Sequence, residues 1–194
     1  MIGITATRRE NRKAEIVAAA WELARENGIA GLSLHALARQ LGIRQPSLYA
    51  HFDSKHALYD EMFADGNREL LAVLDALKLP RDPRAAVKKW ARALVDFAVA
   101  DVARCALLFQ RPIPGFEPSP ASYEYARRVV ERFTAVLNAA GVTAPGDIDC
   151  VVAMVGGVIE AQISNDPDGN RWTRHLDRLC DLYLDDVERR RANS

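Results

Sequence analysis

The chain has 194 residues, 49% of them hydrophobic, with 11 Gly and 9 Pro, which excludes a disordered or collagen-like polymer and suits one medium domain or a small domain joined to a larger one. The formal net charge is zero, so no overall basic excess marks a polyanionic partner. The charge is nonetheless uneven: residues 1–55 hold eight Lys/Arg against five Asp/Glu, and the rest eighteen against twenty-one, a basic head on an acidic body.

Cys105, Cys150 and Cys180 lie far apart without a CxxC and read as free, mostly buried thiols of a reducing compartment. The opening MIGITATRRENRKAE lacks the apolar run of a signal peptide. The longest apolar stretch, Cys150 to Ile159, is too short to span a bilayer. A cytoplasmic chain with no membrane partner is expected.

The first predicted helix runs from about Arg9 to Asn27, with Ile16, Val17, Ala20, Leu23 and Ala24 inward and Gly28 closing it. Leu34, Leu37, Ala38 and Leu41 then recur at i, i+3, i+4, i+7, the apolar stripe of a second helix. Ser33 stands where a hydroxyl can cap its first backbone N–H groups, and Gly42 supplies a left-handed end. A third, short helix begins at Gln45 or Pro46 and ends near His51. Two short helices around a tight glycine turn form a helix-turn-helix, whose second helix can enter the DNA major groove.

A fourth helix, capped by Asp53 or Ser54, is expected from about Lys55 to Leu77, with Leu58, Met62, Leu70, Val73 and Leu77 on its apolar side. The boundary between an N-terminal domain, residues 1–60, and a C-terminal one, residues 61–194, is placed within it. KLPRDPR breaks the chain. A fifth helix is expected over about Arg84–Ala100 and a sixth over Val102–Gln110, followed by the four-proline loop RPIPGFEPSPAS. The seventh spans about Ala121–Ala140, the eighth Ile148–Ile163 and the ninth Trp172–Arg190. With no repeat and no β-hairpin signal, the fold class is all-α, about nine helices.

The eighth helix, IDCVVAMVGGVIEAQI, is apolar almost all round and must be covered on every side. Gly156 and Gly157 each lose roughly 1 kcal/mol of helix propensity relative to Ala, a loss offset if they let another helix approach closely. The expectation is a homodimer in which the eighth and ninth helices of two subunits form a four-helix bundle. Its interface would use Val152, Val155, Gly156, Ile159, Trp172, Leu176, Leu179 and Tyr183. The alternative is a monomer core that covers this helix unaided.

GxSxG, Walker, GxGxxG and HExxH motifs are absent from the sequence, so no catalytic centre, cofactor or metal is expected. In DPDGNRWTRHLD, Asp166, Asp168, Asn170 and Asp177 are loosely spaced like a calcium loop. Arg171, however, occupies the place of the required glycine, and a helix-capping turn is the better reading.

The residues GIRQPSLYAHFDSKHALYDEMF resemble the DNA-binding signature of the TetR family of bacterial transcriptional regulators, a resemblance that extends from about residue 12 to residue 60. It implies that the third helix carries base and phosphate contacts. The residue chemistry agrees. Arg44 and Gln45 stand at the end that points into the groove, where arginine can pair with guanine and glutamine with adenine. Pro46 suits a first helical turn. Ser47 can reach a phosphate or a base, and Ser33 can donate to a phosphate as well as cap its helix. The resemblance gives Tyr49 a backbone-phosphate contact, with His51 as a second. Lys55 adds its ammonium to the positive end of the fourth helix. Leu48 and Phe52 read as core. Arg44 departs from the family's usual Ser or Thr cap, since arginine cannot cap a helix.

The resemblance further implies a small-molecule effector bound among the later helices, with release of a palindromic double-stranded operator. The candidate contacts are Trp90, Phe97, Cys105, Phe109, Arg111, Phe116, Tyr123, Phe133, Met154 and Gln162, a mostly apolar set that favours a hydrophobic or aromatic ligand. A helical ligand carrier with vestigial DNA binding is the alternative.

Overall fold

The structure, a computed structural model, describes residues 2–193, with side chains from residue 8 onward. Among these residues the regular structure is helical: α1 (Ile2–Asn27), α2 (Leu34–Gln40), α3 (Gln45–Tyr49), α4 (Lys55–Asp75), α5 (Pro83–Ala100), α6 (Val102–Phe109), α7 (Pro120–Ala139), α8 (Pro145–Asn165) and α9 (Leu176–Ala192), with one 3-10 turn at Thr173–His175. None of these helices is long and apolar enough to cross a membrane.

Most differences from the expected limits lie at helix starts. α5, α7 and α8 each begin on a proline that reads in sequence as part of the preceding loop. Proline fits there because the first helical residue needs no N–H partner and its φ is already helical. The residues ahead complete two of these starts: Asp82 accepts the Ala85 N–H at 2.8 Å, and the Ser119 hydroxyl oxygen accepts that of Ser122 at 3.2 Å. α4 is capped by Ser54, whose hydroxyl accepts the Ala57 N–H at 3.0 Å. α1 starts at Ile2 rather than near Arg9, since no proline interrupts the residues between.

The chain divides into two compact units, Met1–Arg68 with Asp101–Ala126, and Glu69–Ala100 with Arg127–Ser194. This differs from a cut at residue 60, because α6 and the beginning of α7 belong with the N-terminal helices. The contacts explain why. Trp21 Nε1 donates to Asp65 at 2.9 Å, and Arg25 pairs with Asp101, ahead of α6, at 2.9 Å. A Cβ built on Gly66 would lie 3.1 Å from Leu108 of α6, so glycine permits that close approach. Ile16, Trp21, Leu37, Leu48, Leu58 and Met62 share one buried cluster with Ala103 and Leu107.

In the second unit α5 packs on α8 and α9. Val87, Ala91 and Val95 of α5 are buried, as are Leu176, Cys180 and Leu184 of α9. Along the same two helices Arg84 meets Asp185 at 2.5 Å, Lys88 meets Asp181 at 3.0 Å and Arg92 meets Asp177 at 3.1 Å. Val73, expected inward on α4, is exposed, while Leu74 is buried. Cys150 is exposed, unlike Cys105 and Cys180. The ninth helix begins at Leu176 rather than Trp172, because Trp172 and Thr173 donate their N–H groups to the Gln162 side chain at 2.9 and 3.2 Å and so turn the chain before the helix starts.

Candidate nucleic-acid interface

The helix-turn-helix is built by short-range chemistry. Ser33 caps α2, its hydroxyl accepting the Ala36 N–H at 3.4 Å. Gly42 ends the helix at φ +65°, a conformation that favours glycine. The turn closes when Ile43 donates to the Ala38 carbonyl at 3.0 Å. Gln40 donates to Glu22 at 2.7 Å, tying α2 to α1.

α3 then starts without a side-chain cap: Arg44 stands at the capping position in extended backbone and makes no capping hydrogen bond. The buried Leu48 anchors the helix and decides which face looks out. Arg44, Pro46, Ser47 and Tyr49 are exposed, Tyr49 at 46%, and Gln45 is half-buried. Phe52 is buried, as expected of a core residue. His51 and Lys55 follow, both half-buried, with Lys55 Nζ 5.3 Å from the centre of the Tyr59 ring. Tyr59 is fixed in turn by its hydroxyl, which donates to the Ile29 carbonyl at 3.0 Å. The DNA-contact candidates thus lie on one helix-turn-helix and the first residue of the helix after it.

His51 also shows what the sequence reading missed. Partial burial, reinforced by the charges of Arg9, Arg12 and Lys13 on α1, holds its imidazole below the usual histidine value. These three cations belong to the motif's surroundings. The run RRENRK was visible as charge, but nothing in its spacing pointed to His51.

The effector candidates fall into both units. Cys105, Phe109, Arg111, Phe116 and Tyr123 lie in the first, and Trp90, Phe97, Phe133, Met154 and Gln162 in the second. Phe109, Arg111 and Tyr123 are exposed. Phe116 sits edge-on to His56 with ring centres 5.9 Å apart. Trp90 and Phe133 stack on each other at 4.4 Å, satisfying both rings as core. Gln162 is occupied by the backbone: its oxygen accepts from Trp172 and Thr173, and its amide nitrogen donates to the Asp166 carbonyl. It is therefore a structural bracket at the end of α8. Asp166 itself accepts the Arg171 N–H at 2.8 Å, which closes the loop loosely likened to a calcium site. Met154 does border a small apolar depression, with Val87, Leu137, Val151, Cys180, Tyr183 and Leu184, but it is packed too tightly to admit even a water molecule and so is no formed small-molecule site.

The expected dimer face also needs correcting. Val155, Ile159 and Leu176 are buried within the chain and cannot also meet a partner. Trp172, Leu179 and Tyr183 are half-buried, the Tyr183 hydroxyl lying 3.0 Å from the Asp147 carbonyl. Val152 and Gly156 are exposed, with Ala153 and Gly157 beside them on α8. Nothing lies within 4 Å of a Cβ built on either glycine.

An all-helical chain with an N-terminal helix-turn-helix, its second helix presenting polar side chains outward, has the form of a DNA-binding regulator. Residues 16–62 match the family described as bacterial regulatory proteins, tetR family. The match covers 47 of the 194 residues and places the helix-turn-helix of this chain with the DNA-binding domains of that family. It is 35% identical over 148 residues to the HTH-type transcriptional regulator Rv1816 of Mycobacterium tuberculosis, covering 72% of this chain and 61% of that protein. It is 39% identical over 92 residues to the class D tetracycline repressor protein of Escherichia coli, covering 47% of this chain and 38% of the repressor. The solved structure of BioQ with its natural double-stranded DNA operator superposes with a TM-score of 0.60 at 22% identity, over 90% of this chain and 96% of that one. The chain thus spans about three-fifths of the length of the first of these relatives.

Proposed function

We propose that this protein is a ligand-responsive transcriptional repressor of the cytoplasm that binds a palindromic operator as a homodimer and releases it when a small hydrophobic or aromatic effector binds. The observation that carries the reading is the orientation of α3. Leu48 is its buried anchor, which leaves Arg44, Ser47 and Tyr49 outward. Arg44 and Gln45 suit guanine and adenine edges. Ser33, Ser47, Tyr49, His51 and Lys55 suit phosphates, and Pro46 stiffens the first turn. The repression and the operator are supported by what the tetracycline repressor and BioQ are named for.

Homodimerisation is supported by the uncovered apolar strip Val152–Ala153–Gly156–Gly157, since a palindrome is read by two heads related by a two-fold axis. The effector class follows from the apolar lining around Met154. That depression must open to hold a ligand, and the effector can release DNA only if it binds the non-DNA-binding arrangement more tightly.

Selection of bound duplexes from a random pool tests the reading. The expected result is one palindrome held about 10³–10⁷ times more tightly than random DNA. Equal binding of every duplex would instead favour a ligand carrier that has lost operator recognition.

A further inference from the structure

We propose that the start of α1 forms a second anion site beside α3, in which Arg9, Arg12 and Lys13 hold a DNA backbone phosphodiester next to His51, and that His51 takes up a proton when that phosphate binds. The inference rests on the DNA-binding reading above and adds both a site and a linked proton to it.

The geometry is local to the head. His51 closes the last turn of α3, its backbone N–H donating to the Leu48 carbonyl at 2.9 Å. Its Nδ1 is buried and has no hydrogen-bond partner among the described residues. Buried polar atoms are seldom left so, and such an exception calls for a reason. Lys13 Nζ lies 5.4 Å from the centre of the ring of Phe52, the residue after His51, which brings α1 to the imidazole. Arg12 is partly met by Glu15 at 2.5 Å. Arg9 and Lys13 have no carboxylate partner among the described residues. On the stretch that follows His51, Asp53 is exposed and Lys55 half-buried. The charges of α1 that act on His51 are those of Arg9, Arg12 and Lys13, while of the neighbouring acids Glu15 is paired with Arg12 and Glu10 is exposed beside Arg9.

Three cations and partial burial keep the free imidazole neutral to a lower pH than its usual 6.5. A phosphate drawn in by the same cations offsets that field at close range, because an adjacent opposite charge favours the protonated ring. The protonated ring carries an N–H on each nitrogen, so Nε2 is a donor for the phosphate whichever tautomer the free ring holds. Binding is thus expected to strengthen as pH falls between the free and bound titration points, and to be flat above and below that window.

The test uses the full chain and the duplex selected above, with affinity read by fluorescence anisotropy from pH 6 to 8 and from low to moderate salt. Wild type should tighten by up to about tenfold per pH unit over the steepest part, the limit for one proton. In His51→Gln the pH slope should vanish. Arg9→Ala and Lys13→Ala should each lower the slope of log affinity against log salt by about 0.9, and weaken operator and random duplexes by the same factor. Without DNA, the NMR titration of His51 should move up in Arg9→Ala/Lys13→Ala. A wild-type profile flat in pH, or a slope that survives His51→Gln, overturns the proton uptake. Unchanged salt slopes overturn the α1 site. Operator preference with neither effect removes this inference alone, whereas loss of any preference at every pH removes the DNA-binding reading with it.

Discussion

Asp60 of α4 grips Ser119, the residue ahead of α7, with both carboxylate oxygens: one accepts the backbone N–H at 2.7 Å, the other the hydroxyl at 2.8 Å. The hydroxyl oxygen also accepts the Ser122 N–H, so one side chain of the head secures the first turn of α7. Hydrogen bonds to a charged group contribute about 1.5–3 kcal/mol each, so Asp60→Ala is expected to cost about 2 kcal/mol of stability. Hydrogen exchange should quicken at residues 119–122 more than in α2 and α3. A variant with wild-type melting and wild-type exchange at these amides would show that the clasp carries no weight.

Gln162 is 1% exposed, and its two polar ends bridge α8 to the segment before α9. Gln162→Leu keeps the volume but leaves the Trp172 and Thr173 N–H groups without their acceptor. A buried donor left unmet costs about 1–3 kcal/mol, so a total loss of roughly 2–4 kcal/mol is expected in denaturant unfolding. If effector affinity fell while stability held, Gln162 would be the ligand contact that its sequence position suggested.

What was legible in the sequence was whatever depends on near neighbours along the chain. Ser33, Gly42 and Leu48 define the helix-turn-helix through caps, a left-handed glycine and a 3.6-residue stripe, and each is where the spacing put it. The helix starts at Pro83, Pro120 and Pro145 were misread because proline is equally at home in a loop and at a first helical residue. α8 defeated the pattern for another reason: a helix apolar on every side carries no periodic signal of which side is inward. Ile159 and Val152 look alike in sequence, yet one is buried and the other open. The Arg9–Lys13 cluster near His51 was hidden because it joins residues some forty positions apart.

Arg44 and Lys55 should respond differently to removal. Arg44 stands exposed at the start of α3 with its side chain uncommitted to capping. Arg44→Ala is expected to cost about 1–3 kcal/mol of operator binding and to relax preference at one base pair. Lys55 heads α4 with its ammonium over the Tyr59 ring. Lys55→Ala should weaken all duplexes alike and lower the salt slope by about 0.9. Competition binding against single-base operator variants separates the two, and equal weakening by Arg44→Ala on every variant would reduce Arg44 to a phosphate contact.

Val152 and Ile159 divide the two roles of α8. Val152 is 51% exposed beside the open positions of Gly156 and Gly157, whereas Ile159 is buried. Val152→Glu is expected to change the stability of the isolated chain by no more than about 0.5 kcal/mol, because surface substitutions usually lie within that range. It should nonetheless place a charge in the centre of a two-fold interface and give a monomer in light scattering where wild type gives a dimer. Ile159→Ala should do the reverse, losing about 2–4 kcal/mol of fold stability through a cavity while leaving the assembly intact where the chain is folded. Operator affinity should fall steeply in Val152→Glu, since a lone head contacts only half of a palindrome. A dimer that survives Val152→Glu would move the interface off this face of α8, and the close approach offered by Gly156 and Gly157 would then have no partner helix to explain it.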